Sequence, residues 1–240
     1  MESLLQTNVG DIVAKNYRTA QVLTAYGIDF CCRGRVTLEE ACQSQQLAPE
    51  ILVSELEEAL QLPNAHQDHL LGLPQLIDTI VDEHHAYLRA TVPALKAYLE
   101  KLVKRHGQQH PELHEIKTLF FEGSEHLLAH LKKEELILFP YIRAMVESQE
   151  KNYPLARPHF GEIDNPIRMM EAEHQTEGER FSKIAQLSNH YTPPEDGCQT
   201  YQVTFALLQE FEADLHRHIH LENNILFPQA QRLFADFTFK

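Results

Sequence analysis

Two short segments of the chain share one pattern of metal-binding side chains. Residues 130–140 read HLKKEELILFP and residues 218–228 read HIHLENNILFP, so His130 and Glu134 recur 88 residues later as His218 and Glu222. Side chains four positions apart lie on one face of an α-helix. Each pair therefore directs an imidazole and a carboxylate at a common point. A single pair of this kind is usually a solvated ion pair, but two copies in register favour a metal site.

A lone histidine precedes each pair at almost the same distance. His85 lies 45 residues before His130, and His174 lies 44 residues before His218. Such a repeat predicts one helical hairpin that is present twice. Together the two copies offer four imidazoles and two carboxylates, which is a sufficient ligand set for two metal ions. These donors suit iron, and also zinc, copper or manganese, so the ligand types alone leave the metal open.

Several side chains near the two pairs have both a functional and a surface interpretation. Asp214 is four residues before His218 and is expected to accept its free N–H, and Glu173 is expected to neighbour the site. His84 points about 100° away from His85 on a regular helix, so the pattern selects His85 as the inward histidine. His126, one turn before His130, is expected beside the ligands or at the rim, with a ligand role as the alternative, whereas His216 and His220 are expected in solvent.

Four long apolar patterns at helical spacing position these ligands. They cover approximately residues 74–105, 113–147, 166–190 and 198–234. Because the connections are short, we predict an all-α fold in which residues 74–240 form an antiparallel four-helix bundle. Pro140 is expected to break the backbone hydrogen-bond ladder of the second helix.

Residues 1–62 predict a small helical module in front of the bundle. Its first helix is expected over residues 11–26 and to end at Gly27, and Thr37 with Glu40 predicts a capping box for the second. A third helix is expected over residues 50–60, and residues 61–73 read as a linker. A module of this size is only marginally stable alone, so we expect it to dock on the bundle or on a second copy in a homodimer.

The loop after the first helix carries two adjacent cysteines, Cys31 and Cys32. They are interpreted either as a partly buried thiol pair beside Phe30 or as a redox-active or transient metal-binding pair. Arg33 is expected to favour the thiolate form. The chain has four cysteines in 240 residues, which is too few for a disulfide framework and indicates a reducing compartment.

The composition excludes several classes of partner. A net charge of −14 argues against a nucleic acid or an anionic membrane as the partner. The first thirty residues lack the apolar run of a signal peptide, and no stretch reaches the length of a membrane span. A cytoplasmic protein is therefore expected.

The combination of DFCCRG near the start with HLKKEELILFP and HIHLENNILFP resembles the iron-sulfur cluster repair di-iron proteins, the repair-of-iron-centres family. The resemblance covers nearly the whole chain. It implies a hemerythrin-like bundle with two non-haem iron ions that are bridged by oxo and carboxylate groups. The implied ligands are His85, His130, Glu134, His174, His218 and Glu222, with the two glutamates as bridges, and the family's cysteine pair corresponds to Cys31 and Cys32 as a candidate catalytic pair.

The resemblance implies a protein that repairs iron-sulfur clusters after nitrosative or oxidative damage, with damaged iron-sulfur proteins as partners and iron supply as the means. Two alternatives stay open, namely a di-iron nitric oxide reductase and an O2 or NO sensor, so whether the chain is an enzyme is undecided. One departure from the family pattern is Glu125-His126, where two consecutive acids are expected. Oxygen-carrying hemerythrins use five histidines, and this pattern offers one fewer, which argues against an oxygen carrier.

Overall fold

Helices make up the regular structure of the chain. The computed structural model describes residues 2–64 and 68–237, and within these ranges no β-sheet is formed. The α-helices in these ranges are α1 (Glu2–Leu5), α2 (Val9–Lys15), α3 (Arg18–Ala25), α4 (Leu38–Ser44), α5 (Pro49–Gln61), α6 (Leu73–Thr79), α7 (Ala86–His106), α8 (Glu112–Lys133), α9 (Phe139–Lys151), α10 (Asp164–Leu187), α11 (Gln199–Leu221) and α12 (Phe227–Ala235). In the same ranges, three π-helical segments complete the long helices: π1 (Ile80–His85), π2 (Glu134–Leu138) and π3 (Glu222–Leu226). A short 3-10 helix covers Asp68–Leu70.

The chain divides into two compact units. The first unit comprises Met1–Ile77, Met145–Ile163 and Arg217–Lys240, and the second comprises Asp78–Ala144 and Asp164–His216. The boundaries of the two sequence domains, 1–62 and 74–240, stay a prediction. No helix in the described ranges has both the length and the apolar character that a bilayer crossing requires.

The second unit is a helical bundle with an aromatic core. Helix α7 packs against α8, and α8 packs against α10. The rings of Phe120, Phe181 and Phe211 meet at centroid distances of 5.3 to 6.4 Å, which joins α8, α10 and α11 in one apolar core. The connections 107–111 and 188–198 are short, so the helices that they join run antiparallel. The predicted all-α four-helix bundle is confirmed.

The predicted break at Pro140 takes the form of a π-helical turn. The N–H of Phe139 donates to the carbonyl of Glu134, five residues back, and the N–H of Phe227 donates in the same way to Glu222. The wider turn places Pro140 and Pro228 at the second position of a new α-helix, where a missing N–H costs little. Each glutamate of the repeated motif is therefore the first residue of a π-segment. Such segments occur frequently at functional sites.

In the first unit, the single helix predicted over residues 11–26 is wrong, because Asn16 divides it into α2 and α3. Asn16 has extended backbone angles, φ −154° and ψ 110°. Its side-chain oxygen accepts from the N–H of Arg18, and its amide donates to the carbonyls of Ala59 and Leu62. These bonds replace helix bonds and tie the break to the end of α5.

Two of the predicted helix ends are confirmed in the first unit. Gly27 has φ +67°, and the N–H of Ile28 donates to the carbonyl of Leu23, as in a glycine-terminated helix. At the start of α4, Thr37 and Glu40 exchange side-chain and backbone hydrogen bonds in the predicted capping box.

Candidate metal centre

A buried carboxylate lies between two imidazoles in the second unit. Glu134 Oε1 is 3.2 Å from Nε2 of His130, which is one turn earlier on the same helix. Glu134 Oε2 is 3.4 Å from Nε2 of His85, which is the last residue of π1. All three side chains are buried. A buried charge is costly unless it is paired or coordinates a metal, so Glu134 marks this cluster as a polar site inside an apolar bundle.

A third imidazole completes this cluster. The Nε2 atom of His174, on α10, lies 2.9 Å from Nε2 of His130. The ligand atoms of His130, Glu134 and His174 all lie within 4.8 Å of one another. In the sequence repeat, His174 belongs to the second hairpin, whereas the imidazole that it contacts, His130, belongs to the first. The ligands from the two hairpins are therefore interleaved in this cluster.

The outer nitrogens of two of these histidines contact carboxylates. His130 Nδ1 lies 2.7 Å from Glu173 Oε2, and His85 Nδ1 lies 2.6 Å from Glu135 Oε1. An ionised carboxylate only accepts hydrogen bonds, so each Nδ1 carries a proton, and in the neutral form of each ring Nε2 keeps the lone pair that a metal requires. If His174 presents a lone pair as well, the two Nε2 atoms at 2.9 Å repel each other unless a cation lies between them. The donor set and its tautomers thus fit a metal ion.

Both carboxylate partners are held in their charged form. The hydrogen bond from His130 lowers the pKa of Glu173 to about 2, burial opposes this, and Lys133 adds to the lowering. For Glu135, burial raises the pKa, but hydrogen bonds from His85 and Arg89 outweigh it, so the pKa is lowered. The expectation that Glu173 neighbours the site is met by its contact with His130.

The second copy of the motif has the same local geometry in the first unit. His218 Nε2 lies 3.1 Å from Glu222 Oε1, and both side chains are buried. Of the six predicted ligands, the contacts within each unit group His85, His130, Glu134 and His174 in the second unit, and pair His218 with Glu222 in the first.

A pocket of about 270 Å³ leads to one side of the histidine cluster in the second unit. Its lining includes His130, His174, Lys133 and Glu173. His126, which was expected at the rim, lines the same pocket with an exposed ring, and its Nδ1 is 3.4 Å from Glu177 Oε1. A small molecule can therefore approach the imidazoles without unfolding the bundle.

Two predictions about neighbouring histidines are wrong. His84, which was expected to point away from the inward face, is buried, and its Nδ1 donates to the carboxylate of Asp214 at 2.8 Å. His220, predicted to be solvated, is 1 % exposed and packs against the rings of Tyr17 and Phe30 at 6.1 and 5.8 Å. Burial lowers the pKa of His220 to about 3, so its ring is neutral.

Glu135 is a residue of the site that the sequence did not single out. It follows Glu134 in the run KKEEL, where it looks like one more surface acid. Its partner His85 is 50 residues away on another helix, and spacing along one helix does not reveal such a pair.

The cysteine pair lies on a structured loop of the first unit. Cys31 is buried, and its Sγ lies 3.7 Å from Sγ of Cys32. Asp29 Oδ1 accepts from the N–H groups of both cysteines at 3.1 and 2.9 Å and lies 3.3 Å from Sγ of Cys31. The hydrogen bond with Cys32 and burial raise the pKa of Cys31 well above its usual range. The expectation that Arg33 favours the thiolate is therefore wrong for Cys31.

Two family models match successive parts of the chain. A domain of unknown function, DUF542, matches residues 5–60, and the hemerythrin HHE cation binding domain matches residues 76–230. The second match covers the helices of the bundle, so the bundle is hemerythrin-like. A cation-binding domain also agrees with the buried histidine and glutamate side chains.

Full-length relatives cover almost the entire chain. It is 30 % identical over 223 residues to the iron-sulfur cluster repair protein ScdA of Staphylococcus haemolyticus (strain JCSC1435), which covers 91 % of this chain and 95 % of the relative. It is 33 % identical over 216 residues to the iron-sulfur cluster repair protein YtfE of Yersinia pestis (strain Pestoides F), with coverage of 90 % and 92 %. The same values hold for the YtfE protein of Yersinia pseudotuberculosis serotype O:1b (strain IP 31758).

Proposed function

We propose that the chain repairs damaged iron-sulfur clusters, since it belongs to the hemerythrin-domain family of iron-sulfur cluster repair proteins. We further propose that it does so by supplying iron to clusters that nitric oxide or peroxide has damaged. The observation that carries the proposal is the approach of His130 Nε2 to His174 Nε2 at 2.9 Å, with Glu134 beside them.

The proposed metal ligands are the six side chains of the repeated motif. Their support is the recurrence of His-x-x-x-Glu with one geometry in both copies and the burial of all six side chains. Iron bound by them is the cargo that a damaged cluster lacks. We propose two non-haem iron ions with oxo and carboxylate bridges, in which Glu134 and Glu222 serve as the bridging carboxylates.

Two features of the second unit favour release of iron as well as its binding. Imidazoles are its main donors there, and the pocket beside His130 and His174 offers a path to solvent. The net charge of −14 favours docking on a client with a basic surface. We propose that residues 74–240 hold the iron and that residues 1–62 take part in its transfer through Cys31 and Cys32.

The test is repair of a cluster enzyme in vitro. The iron-loaded chain is mixed with a [4Fe–4S] dehydratase that nitric oxide has inactivated, and dehydratase activity is followed. We expect recovery with the parent chain and loss of recovery with the His130→Ala/His218→Ala variant. His114→Ala, which changes an exposed histidine on α8, is the matched control. Equal repair by the double variant would contradict the proposal.

The pocket also supports a second candidate, reduction of nitric oxide at the same centre. A diatomic molecule fits a pocket of about 270 Å³ that reaches two of the proposed ligands. Iron with an open position would serve as electrophile and electron source. The discriminating measurement is N2O formed by the iron-loaded chain with a supplied reductant. More than one turnover per chain supports a reductase, whereas an unreactive nitrosyl product leaves repair by iron supply as the function.

A further inference from the structure

Three potential metal ligands converge on the loop 29–32 of the first unit. The ligand atoms of Asp29, Cys31 and Cys32 lie within 4.8 Å of one another. The two sulfur atoms are 3.7 Å apart. In a tetrahedral site with metal–sulfur bonds of about 2.3 Å, two thiolates stand about 3.8 Å apart. The pair therefore already has the separation that one tetrahedral cation imposes.

The backbone of this loop is fixed from both sides. Asp29 accepts from the N–H groups of Cys31 and Cys32. On the other side, Asn223 Nδ2 donates to the carbonyl of Cys31 at 3.2 Å, and Asn224 Nδ2 donates to the carbonyl of Phe30 at 3.1 Å. A loop that is held at its N–H groups and its carbonyls keeps the two sulfur atoms oriented before any ligand arrives, which lowers the cost of binding.

The two asparagines come from the second copy of the metal motif. They directly follow Glu222 in π3, whereas the first copy has Glu135 and Leu136 at the matching positions. Leu136 is 76 % exposed. Asn224 is also held close to Gly10 and Gly34, where any Cβ would collide with its side chain. The two asparagines that distinguish the second copy thus hold the cysteine loop in the first unit.

We propose that Asp29, Cys31 and Cys32 form a second metal site that binds one thiophilic divalent cation. Binding replaces the thiol protons: each cysteine loses one proton to solvent, and the two thiolates and the Asp29 carboxylate coordinate the cation. Asp29 is exposed and Cys32 is half-buried, so a fourth position is accessible to an incoming ligand. If the proposed function holds, the cation is ferrous iron that is being transferred to a client protein. The existence of the site does not rest on the proposed function.

Cobalt is a suitable probe because thiolate-to-cobalt charge transfer gives near-ultraviolet absorption that nitrogen and oxygen ligands do not give. The full chain is used with Cys42→Ala and Cys198→Ala, since Cys198 lies 3.2 Å from His106 and is a second thiol with an imidazole beside it. After reduction with a phosphine, Co²⁺ is titrated. We expect a charge-transfer band whose intensity corresponds to one sulfur-bound cobalt per chain and which is lost with Cys31→Ser or Cys32→Ser.

Two further variants examine the carboxylate and the support of the loop. Asp29→Asn and Asn223→Ala are each expected to weaken cobalt binding at this band by about tenfold or more. Leu136→Ala, at the position that matches Asn224 in the first copy, is the control and leaves the band unchanged. Cys32→Ser changes a half-buried side chain, so circular dichroism of this variant shows whether the fold is kept.

The absence of a thiolate charge-transfer band in the parent chain would overturn the site, and so would a full band in Cys31→Ser. Formation of a Cys31–Cys32 disulfide without metal uptake, detected by mass spectrometry, would also overturn it and assign the pair to redox chemistry. The charge-transfer band requires sulfur ligands, so a failure of cluster repair does not contradict the cysteine site. Conversely, loss of the band does not contradict repair by the histidine and glutamate centre, which the dehydratase assay tests.

Discussion

Glu173 Oε2 lies 2.7 Å from Nδ1 of His130 and thereby sets which nitrogen of that imidazole faces the buried cluster. Lys133 contacts the same carboxylate. Because Nδ1 carries the proton, Nε2 is the nitrogen that points at Glu134 and His174. The metal site therefore depends on a carboxylate that is not itself a proposed ligand.

Replacement of Glu173 is predicted to weaken metal binding without removing a ligand. Glu173→Gln keeps the shape but loses the charge that holds the His130 tautomer, so we expect about a tenfold loss of iron affinity. The iron affinities of the parent and the variant are measured by competition with a chelator of known affinity. Glu179→Gln, on the exposed side of α10, is the control. Unchanged affinity in Glu173→Gln would show that the tautomer of His130 is fixed in another way.

Glu135 is predicted to support His85 in the same manner. Glu135→Gln removes the charge that accepts from His85 Nδ1 and from Arg89, and a loss of iron affinity of about tenfold is expected. The matched control is Glu125→Gln, which changes an exposed acid of α8. If the chelator competition gives the parent value for Glu135→Gln, then His85 does not act as a ligand through Nε2.

Cys198 is predicted to be more reactive than the buried thiols. A hydrogen bond from the backbone of Tyr201 and a second one with His106 lower the pKa of Cys198 to about 7. Burial raises the pKa of Cys42, and that of Cys31 is raised as well. At pH 7 we therefore expect iodoacetamide to label Cys198 ahead of Cys31 and Cys42, which peptide mass spectrometry resolves. In His106→Gln the labelling of Cys198 should slow, and equal rates for all three thiols would contradict the assignment.

Stability is predicted to fall with rising pH through the titration of Glu212. Burial raises the pKa of Glu212 to about 7, against a smaller opposing effect of Tyr191. The pKa of this carboxyl group is about 4.3 in the unfolded chain, so the folded chain binds the proton more tightly. The resulting contribution to the free energy of unfolding is fully present below pH 4 and is lost as the pH rises through 7. The loss is roughly 1–3 kcal/mol, from about 1.4 kcal/mol per pKa unit reduced for partial exposure.

The comparison of Glu212→Gln with the parent isolates this effect. Denaturant unfolding should show that the variant gains more stability relative to the parent at pH 8 than at pH 5. Glu210→Gln, an exposed neighbour on α11, should behave like the parent at both values. An equal difference between Glu212→Gln and the parent at both pH values would exclude Glu212 as the titrating group.

The sequence was sufficient to predict the bundle and the polar side chains inside it. Helical spacing of apolar residues defined the bundle, and the repeat of His130 and Glu134 at His218 and Glu222 selected side chains that are all buried. The capping box at Thr37 was predictable because it depends only on residues that are close in sequence.

The features that the sequence did not reveal depend on contacts between distant segments. Asn16 ends a helix that apolar spacing would continue, because the carbonyls of α5 compete for its side chain. His220 is buried because Tyr17 and Phe30 pack over it. The positions of π2 and π3 follow from those of Pro140 and Pro228. No proline adjoins π1, so its position could not be predicted in this way.

The central claim is that the histidines and glutamates of the repeated motif hold two iron ions. Its most direct test is iron content together with Mössbauer spectroscopy of the freshly purified, ⁵⁷Fe-grown chain. We predict two irons per chain in a coupled dinuclear centre, loss of that centre in His130→Ala and in His218→Ala, and retention in His114→Ala. A chain without iron, or a dinuclear centre that survives both ligand variants, would contradict the account.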